Sequence, residues 1–220
     1  MYLAIEGVIG VGKTTLSRLL QGAFQSALLL EVFEENPFLS AFYSDRQRYA
    51  FQTQVFFLLS RYHQQRRSVP GVLERGQNLI ADYTFDKDAL FARINLSGDE
   101  LVMYYRVHEA LAEKIPPPDL IVYLRASTSV LMQRIAMRDR SYERNMELDY
   151  IEQLNRSYEA YFNPASAENR QPSSPVLIID TDHLDIVQRP QDLKWIENRI
   201  RQALKLAPFQ SELPLELGSD

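Results

Sequence analysis

The stretch Tyr2-Leu-Ala-Ile-Glu-Gly-Val-Ile-Gly-Val-Gly-Lys-Thr-Thr15 decides how this chain folds. Tyr2–Ile5 predicts a short buried strand, Gly7–Thr14 has the form G-x-x-x-x-G-K-[ST], and apolar residues recur at helical spacing from Thr15 onward. Glycines let successive backbone N–H groups point inward at the start of a helix, which makes a nest for anions. The order strand, glycine loop, helix therefore predicts a P-loop that binds a nucleoside triphosphate.

The residues of this loop have distinct expected tasks. Lys13 is expected to reach the outer phosphates as a point charge, and the Thr14 hydroxyl is placed to bind Mg²⁺. ATP and Mg²⁺ are the expected cofactors, although nothing in the loop selects the base of the donor. The predicted nucleotide-binding residues are Gly7, Val8, Ile9, Gly10, Val11, Gly12, Lys13, Thr14 and Thr15.

Length and composition limit the possible classes of protein. The chain has 220 residues, of which 45% are hydrophobic, and this suits a single α/β domain over residues 1–207 with a frayed acidic tail over 208–220. Its formal net charge of −5 does not indicate a nucleic-acid or membrane partner. The absence of cysteine excludes thiolate metal sites and cysteine nucleophiles. Without a long apolar run or a leader segment, a cytoplasmic enzyme is expected.

Acidic residues end three of the predicted strands, namely Glu31, Asp82 and Asp180. Because the carboxyl ends of parallel strands line the ligand crevice, Glu31 and Asp82 are expected to face the triphosphate. Asp82 has the position of a metal-holding carboxylate, whereas Glu31 alone fits equally well with a solvated strand end. The pattern as a whole predicts a three-layer sandwich with a five-stranded parallel sheet, whose later strands are residues 27–31, 78–82, 119–124 and 176–180.

A long helix over 46–67 has more apolar surface than one sheet can bury, and we expect part of this surface to cover a second copy of the chain. Gln54 and Arg61 lie on one face of this helix. Polar groups on an apolar helix need partners, and a ligand is one candidate.

Arginines are dense after the fourth strand. Arg134 and Arg138 share a helical face, and Arg140 and Arg144 are expected in a lid over about 138–147. Such a cluster is often only a solvated face, here paired with Asp139, Glu143 and Glu147. In a chain with a P-loop, however, cations are needed over the transferring phosphoryl group, and this favours the lid.

Taken together, several segments resemble the deoxynucleoside kinase family, in particular its bacterial deoxyadenosine and deoxyguanosine kinases. The resemblance covers most of the chain. The segments that carry it are Ile5–Thr15, Glu31–Pro37, Tyr43 with Phe51–Gln54 and Ser60-Arg61, Asp82–Ala92, and Arg134-x-x-x-Arg138-x-Arg140.

The resemblance implies roles around the acceptor nucleoside. Glu31 matches the carboxylate that takes the proton of the 5′-hydroxyl. Gln54 matches the glutamine that contacts the base edge, with Arg61 beside it. Tyr43 matches a tyrosine near the 3′-hydroxyl, and Phe91 matches an aromatic residue that packs against the base.

The resemblance also implies roles further along the chain. Asp149 stands where the family usually has a glutamate near the sugar. Asp182 lies in the segment 180–185, which is expected over the ATP adenine. The lid arginines that close on the phosphates are Arg134, Arg138 and Arg140.

Two features depart from the family pattern. Tyr83 follows Asp82, whereas many relatives have an arginine there, so another cation is expected to take over or turnover to be slower. The segment from Asp82 to Phe91 also looks shorter by a residue than in the animal enzymes, which leaves open whether Asp86 or Asp88 serves the base.

These features favour transfer of the ATP γ-phosphoryl group to the 5′-hydroxyl of a deoxynucleoside, with purines preferred and a homodimer expected. A nucleoside monophosphate kinase is the closest alternative, with Arg61 as a clamp for the acceptor phosphate. A P-loop regulatory switch would have no use for Gln54, Arg61 and Tyr43 as a second pocket, and the chain lacks an obvious switch segment. The intact Lys13, Thr14 and Glu31 argue against a non-catalytic binding module.

Overall fold

The structure is a computed structural model that describes residues 1–144, 146–163, 165 and 172–207. The described residues form one parallel sheet of five strands in the order β2-β3-β1-β4-β5. The P-loop strand is therefore central, with neighbours on both sides. The strands are β1 (Tyr2–Glu6), β2 (Ser26–Leu29), β3 (Asn78–Ala81), β4 (Leu120–Arg125) and β5 (Val176–Asp180).

Helices flank the sheet in the expected three-layer arrangement. In the described ranges they are α1 (Lys13–Ala23), α2 (Leu39–Ser44), α3 (Arg46–Leu73), α4 (Asp86–Asn95), α5 (Gly98–Ala112), α6 (Thr128–Arg138), α7 (Leu148–Phe162) and α8 (Pro190–Ala203). Helix α1 packs on β1, β2 and β3 and against α8, while α3 packs on β2 and β3 and against α4 and α5.

The central strand explains why the site lies where it does. All five side chains of β1 are buried, so this strand is apolar on both faces except at its last residue, Glu6. It pairs in parallel register with β3 through Ala4 and Ala81 and with β4 through Glu6 and Tyr123. These registers bring the carboxyl ends of β1, β3 and β4 to one edge, where the P-loop starts.

The five predicted strands are confirmed, and the boundaries of several elements are corrected. Helix α3 continues past Arg67 to Leu73 and includes Pro70, because Val69 and Val72 are buried in a cluster with Tyr2 of β1 and residues of β2 and β3. This packing outweighs the local cost of a proline.

Other differences are smaller. Strand β2 ends at Leu29, so Glu31 lies just beyond it. Helix α8 starts at Pro190, since proline is suited to the first turn of a helix. The predicted frayed tail over 208–220 lies outside the described residues. No helix in the described part of the chain is long and apolar enough to cross a membrane.

Candidate active site at the carboxyl edge of the sheet

The glycines of the P-loop are required by close contacts. Gly7 has φ +148°, and a Cβ atom there would lie 2.5 Å from the carbonyl oxygen of Leu124. Gly10 has φ +88°, and its Cβ would lie 2.8 Å from the Ile135 side chain. The loop is thus pressed against β4 and α6, with no space for side chains at these two positions.

The start of α1 is prepared for an anion. Gly12 precedes the helix, and no side chain among the described residues caps it, so the first N–H groups point toward the loop cavity. Lys13 donates hydrogen bonds from Nζ to the carbonyl oxygens of Gly7, at 2.6 Å, and Val8, at 3.1 Å. Burial, reinforced by the charge of Lys87, lowers the pKa of Lys13 to about 8.

A cavity of about 600 Å³ opens in front of the loop. Arg134 borders it and donates to Thr181, to the carbonyl oxygen at 2.7 Å and to Oγ1 at 3.0 Å. Desolvation by burial lowers the pKa of Arg134. We call this space the donor cavity, and its remaining border includes Gly10–Leu16, Arg138, Arg140, Leu184, Asp185, Ile186 and Val187.

The structure does not place Asp182 in the donor cavity. Its carboxylate accepts a hydrogen bond from the backbone N–H of Ser127 at 2.8 Å, so it is used at the start of α6. From the same segment, Thr181, Leu184 and Asp185 border the donor cavity instead.

A second cavity of about 100 Å³ lies on the other side of Lys13. At roughly 10–15 Å³ for each enclosed water, this space holds roughly eight waters. We call it the acceptor cavity. Six predicted substrate residues border it, namely Glu31, Tyr43, Gln54, Arg61, Asp82 and Phe91.

Glu31 is the electrostatic centre of the acceptor cavity. Arg61 donates to Oε1 from Nε at 2.9 Å and also from Nη2, and Lys87 donates to Oε2 at 2.6 Å. Burial alone would raise the pKa of Glu31, but the charges and hydrogen bonds of Arg61 and Lys87 outweigh it and hold this pKa well below its usual range. Glu31 is therefore a carboxylate held by two cations, and the solvated alternative is wrong.

The far end of the acceptor cavity has buried polar groups that lack partners. Gln54 Oε1 and Thr53 Oγ1 are buried, and neither has a hydrogen-bond partner in the described part of the chain. Asp88 is in contact with Nη1 of Arg61, but neither Asp86 nor Asp88 borders the acceptor cavity, so the assignment of either one to the base stays a prediction. Unpaired buried groups are costly, so their presence indicates that a polar ligand completes them.

Oxygen atoms gather where the two cavities meet. Thr14 donates from Oγ1 to Asp82 Oδ2 at 2.5 Å, and the other oxygen of Asp82 accepts from the backbone N–H of Glu31 at 2.8 Å. A hydroxyl beside a carboxylate fits Mg²⁺, which prefers oxygen ligands and takes only a few of them from protein in phosphate sites. Among the described residues, no group of three or more His, Asp or Glu side chains is arranged to hold a metal ion.

Within the predicted lid segment, a short turn spans Ser141–Glu143. Arg138 donates to Glu143 Oε2 from Nε at 3.1 Å and from Nη2 at 2.5 Å, and Arg140 lies 4.0 Å above the ring of Phe33. Arg138 and Arg140 border both cavities.

Tyr142 of the lid stacks on Tyr43 with ring centroids 6.0 Å apart. Arg144 pairs with the exposed Asp139 at 2.7 Å, as the solvated alternative expects. Arg138 and Arg140 also pair with an acid of that alternative, Glu143, but this acid is buried at the border of the acceptor cavity.

Asp149 is exposed on α7 and does not border the acceptor cavity. The carboxylate near Tyr43 is that of Glu143, which is 4% exposed and helps to raise the pKa of Tyr43, after burial and Tyr150. Of these two acids, Glu143 borders the acceptor cavity and Asp149, which the resemblance placed near the sugar, does not. The sequence signal for Glu143 was its proximity to the lid arginine Arg140.

Lys87 was missed altogether, since a lysine between two aspartates in a helix has no distinctive pattern. The structure also shows how Tyr83 is accommodated. Its hydroxyl donates to Gln64 Oε1 at 2.5 Å, and Gln64 Nε2 donates to the carbonyl oxygen of Leu30 at 2.8 Å. Tyr83 therefore supports the segment before Glu31. The cations that contact Glu31 are Arg61 and Lys87.

Similarity to known proteins extends over most of the chain. The deoxynucleoside kinase family model matches residues 3–205. Deoxyguanosine kinase from Bacillus subtilis (strain 168) is 35% identical over 203 residues, which cover 92% of this chain and 97% of that protein. Deoxyadenosine kinase from Dictyostelium discoideum is 31% identical over 170 residues, with 75% and 68% coverage.

A solved structure is similar over nearly the full length. The deoxyadenosine kinase from M. mycoides with bound dCTP has a TM-score of 0.76 and 26% identity, and the match covers 92% of this chain and 100% of that one. A structure of that kinase with bound dATP gives a TM-score of 0.77.

Proposed function

The chain belongs to the deoxynucleoside kinase family, and on that premise we propose that ATP phosphorylates the 5′-hydroxyl of deoxyguanosine or deoxyadenosine in its active site. The products are the 5′-monophosphate and ADP, as in nucleotide salvage. One observation carries this proposal above the others. The donor and acceptor cavities share a common border, which consists of Gly10, Lys13, Thr14, Arg138 and Arg140.

In this arrangement the 5′-oxygen attacks the γ-phosphorus from the side of Glu31. As the new P–O bond forms, the hydroxyl proton passes to a Glu31 oxygen, and the bond to the β-phosphate oxygen of ADP breaks. A carboxylate with a lowered pKa is a weak base. Phosphoryl transfer through a loose transition state needs little base strength and depends more on alignment, so Glu31 acts chiefly by orienting the hydroxyl and accepting its proton late.

The cations on the shared border stabilise the transferring group. Lys13 exchanges the carbonyl oxygens of Gly7 and Val8 for phosphate oxygens, and Arg138 and Arg140 approach from the lid. Arg134 contributes from the donor side, where its bonds to Thr181 hold the loop after β5.

Thr14 and Asp82 are the residues that would hold Mg²⁺, which neutralises phosphate charge when bound. Asp82 has a second task, because its other oxygen fixes the backbone of Glu31. Movement of Asp82 is thereby transmitted to the proposed base.

The nucleoside fills the acceptor cavity with its base toward α3. Gln54 offers a donor and an acceptor to a base edge, and Thr53 supplies a further unpaired oxygen. Phe91 packs against the base, while Tyr43 and Glu143 face the sugar 3′-hydroxyl. The preference for purines rests on the relatives, which include a deoxyguanosine and a deoxyadenosine kinase.

A nucleoside monophosphate kinase is disfavoured by the partners of Arg61. That guanidinium is already matched by the carboxylates of Glu31 and Asp88, so it has little charge to offer to an acceptor phosphate. A regulatory switch is disfavoured because it has no need for the acceptor cavity.

We further propose a homodimer in the cytoplasm. Helices α3 and α5 pack together and expose Leu59, Val102, Met103 and Val107, the most exposed being Met103 at 59%. A second copy of the chain, as in the family resemblance, suits this apolar surface. Met103→Glu should give monomers in analytical ultracentrifugation.

The direct test is a panel of the four deoxynucleosides with dTMP and dCMP, each incubated with labelled ATP. We expect labelled deoxyguanosine or deoxyadenosine monophosphate as the main product and no ADP without an acceptor. Preferential labelling of dTMP would favour the monophosphate kinase, and acceptor-independent ATP hydrolysis would favour the switch.

A further inference from the structure

Lys87 is a buried lysine in the acceptor cavity. It is only 5% exposed, its Nζ lies 2.6 Å from Glu31 Oε2, and it borders the cavity beside Lys13 and Asp82. Its ammonium also lies 5.7 Å from the ring centroid of Phe91. Lys87 is thus in contact with the proposed base, and the ring that packs against the nucleoside is close by.

Local structure disfavours a lysine at this position. Lys87 is in the first turn of α4, where the helix dipole repels a cation, and burial of an ammonium group adds a desolvation cost. Lys13 and Lys87 also repel each other, and the charge of Lys87 contributes to the lowered pKa of Lys13. A residue that opposes local preferences in this way is expected at functional sites, and here Glu31 is the compensating partner.

The charges around Glu31 balance only when Lys87 is counted. Arg61 contacts both Glu31 and Asp88, and Asp88 is fully buried. One guanidinium therefore serves two carboxylates. Lys87 supplies the second positive charge, so the four side chains together are neutral. Without Lys87 the cluster would have a net buried negative charge next to the incoming phosphates.

Hydrogen bonds to the Glu6 carboxylate fix the turn that leads to Lys87. The turn before α4 is fixed by Glu6, whose Oε1 accepts from the N–H and the hydroxyl of Thr84. The other oxygen of Glu6 accepts from the N–H of Gly7 at 3.1 Å. The turn that leads to Lys87 is thereby tied to the first glycine of the P-loop.

We infer that Lys87 is a positioning residue for Glu31: its ammonium fixes Oε2 and supplies the charge that Arg61 shares with Asp88. When the nucleoside binds and displaces one of the hydrogen bonds from Arg61 to Glu31 Oε1, this oxygen is free to accept from the 5′-hydroxyl. This inference rests on the proposed role of Glu31 as proton acceptor.

Four variants test it in the full chain, with ATP and deoxyguanosine or deoxyadenosine as substrates: Lys87→Met, Lys87→Ala, Lys87→Arg and Glu31→Gln. Lys87→Met keeps the volume and should lower kcat by roughly 10²-fold, while the KM for ATP stays within about threefold. Lys87→Arg should recover at least about tenfold of that loss, because it restores a cation. Ethylammonium should raise kcat of Lys87→Ala by about tenfold or more, and tetramethylammonium, which cannot donate, should not.

Lys194, an exposed lysine on α8, gives the matched control, and Lys194→Met should leave every constant unchanged. Wild-type kcat in Lys87→Met would overturn the inference. So would a loss that neither arginine nor ethylammonium restores, since a purely structural role would behave that way. The role of Glu31 is tested separately. If Glu31→Gln turns over at a near-normal rate, Glu31 is not the proton acceptor, whatever the lysine variants show. If Lys87→Met does not fold, the kcat of Lys87→Ala with ethylammonium and with tetramethylammonium tests the inference instead.

Discussion

The donor cavity has a volume of about 600 Å³ and the acceptor cavity about 100 Å³. The two differ in whether backbone groups or side chains line them. The phosphate end of the donor cavity consists of backbone, with glycines at left-handed φ angles and an uncapped helix start. The acceptor cavity consists of side chains from α2, α3, α4 and the lid, with ion pairs at one end and unpartnered oxygens at the other. A backbone nest recognises phosphate in any nucleotide, whereas converging side chains recognise one acceptor. Specificity therefore resides in the smaller cavity.

The largest expected effect tests the chemistry of the acceptor side. Glu31→Gln removes the proton acceptor but keeps the shape of the side chain, so kcat should fall by roughly 10²-fold or more. ATP binding, measured by calorimetry, should change little, because the donor cavity is intact. Turnover close to that of the wild type would remove Glu31 from the mechanism.

The lid arginine on the shared border should have the next largest effect. Arg138→Ala removes a cation that is needed when charge develops on the transferring group, and kcat and kcat/KM should fall together by about 30-fold. Steady-state kinetics with both substrates checks this. Arg144→Ala is the control, since Arg144 pairs with the exposed Asp139 and its removal should have little effect. A change in KM alone would make Arg138 a ground-state contact.

A change in the acceptor cavity alone should separate the two cavities. Gln54→Ala should raise the KM for the deoxynucleoside about tenfold, since one polar contact to the base is lost, and should leave the KM for ATP unchanged. Gln65→Ala is a matched control, because Gln65 is also buried and unpartnered among the described residues but does not border the acceptor cavity. Equal effects of both substitutions on the nucleoside KM would mean that Gln54 acts through stability.

The same contrast explains what could be predicted from sequence. The five strands and the P-loop were predicted because their signals are local and lie within a few residues. Gln54 and Arg61 were found through helical spacing and family resemblance. Lys87 was not found, because its function arises from contact with Glu31 on a distant element, 56 residues away. Asp182 was misplaced because one residue of a loop can face either the ligand or a neighbouring helix, and only the packing of α6 decides.

The smallest expected effect tests which acid serves the sugar. Asp149→Asn should leave kcat and both KM values within about twofold, since surface substitutions seldom matter and Asp149 is exposed. Glu143→Gln should raise the nucleoside KM about fivefold, because it weakens a hydrogen bond near Tyr43 and releases Arg138 from a charged partner.

A comparison of deoxynucleoside with 2′,3′-dideoxynucleoside sharpens the result. If Glu143 faces the 3′-hydroxyl, the wild type discriminates between the two acceptors and Glu143→Gln does so less, whereas Asp149→Asn discriminates as the wild type does. Loss of discrimination in Asp149→Asn would instead mean that α7 moves toward the sugar when the lid closes.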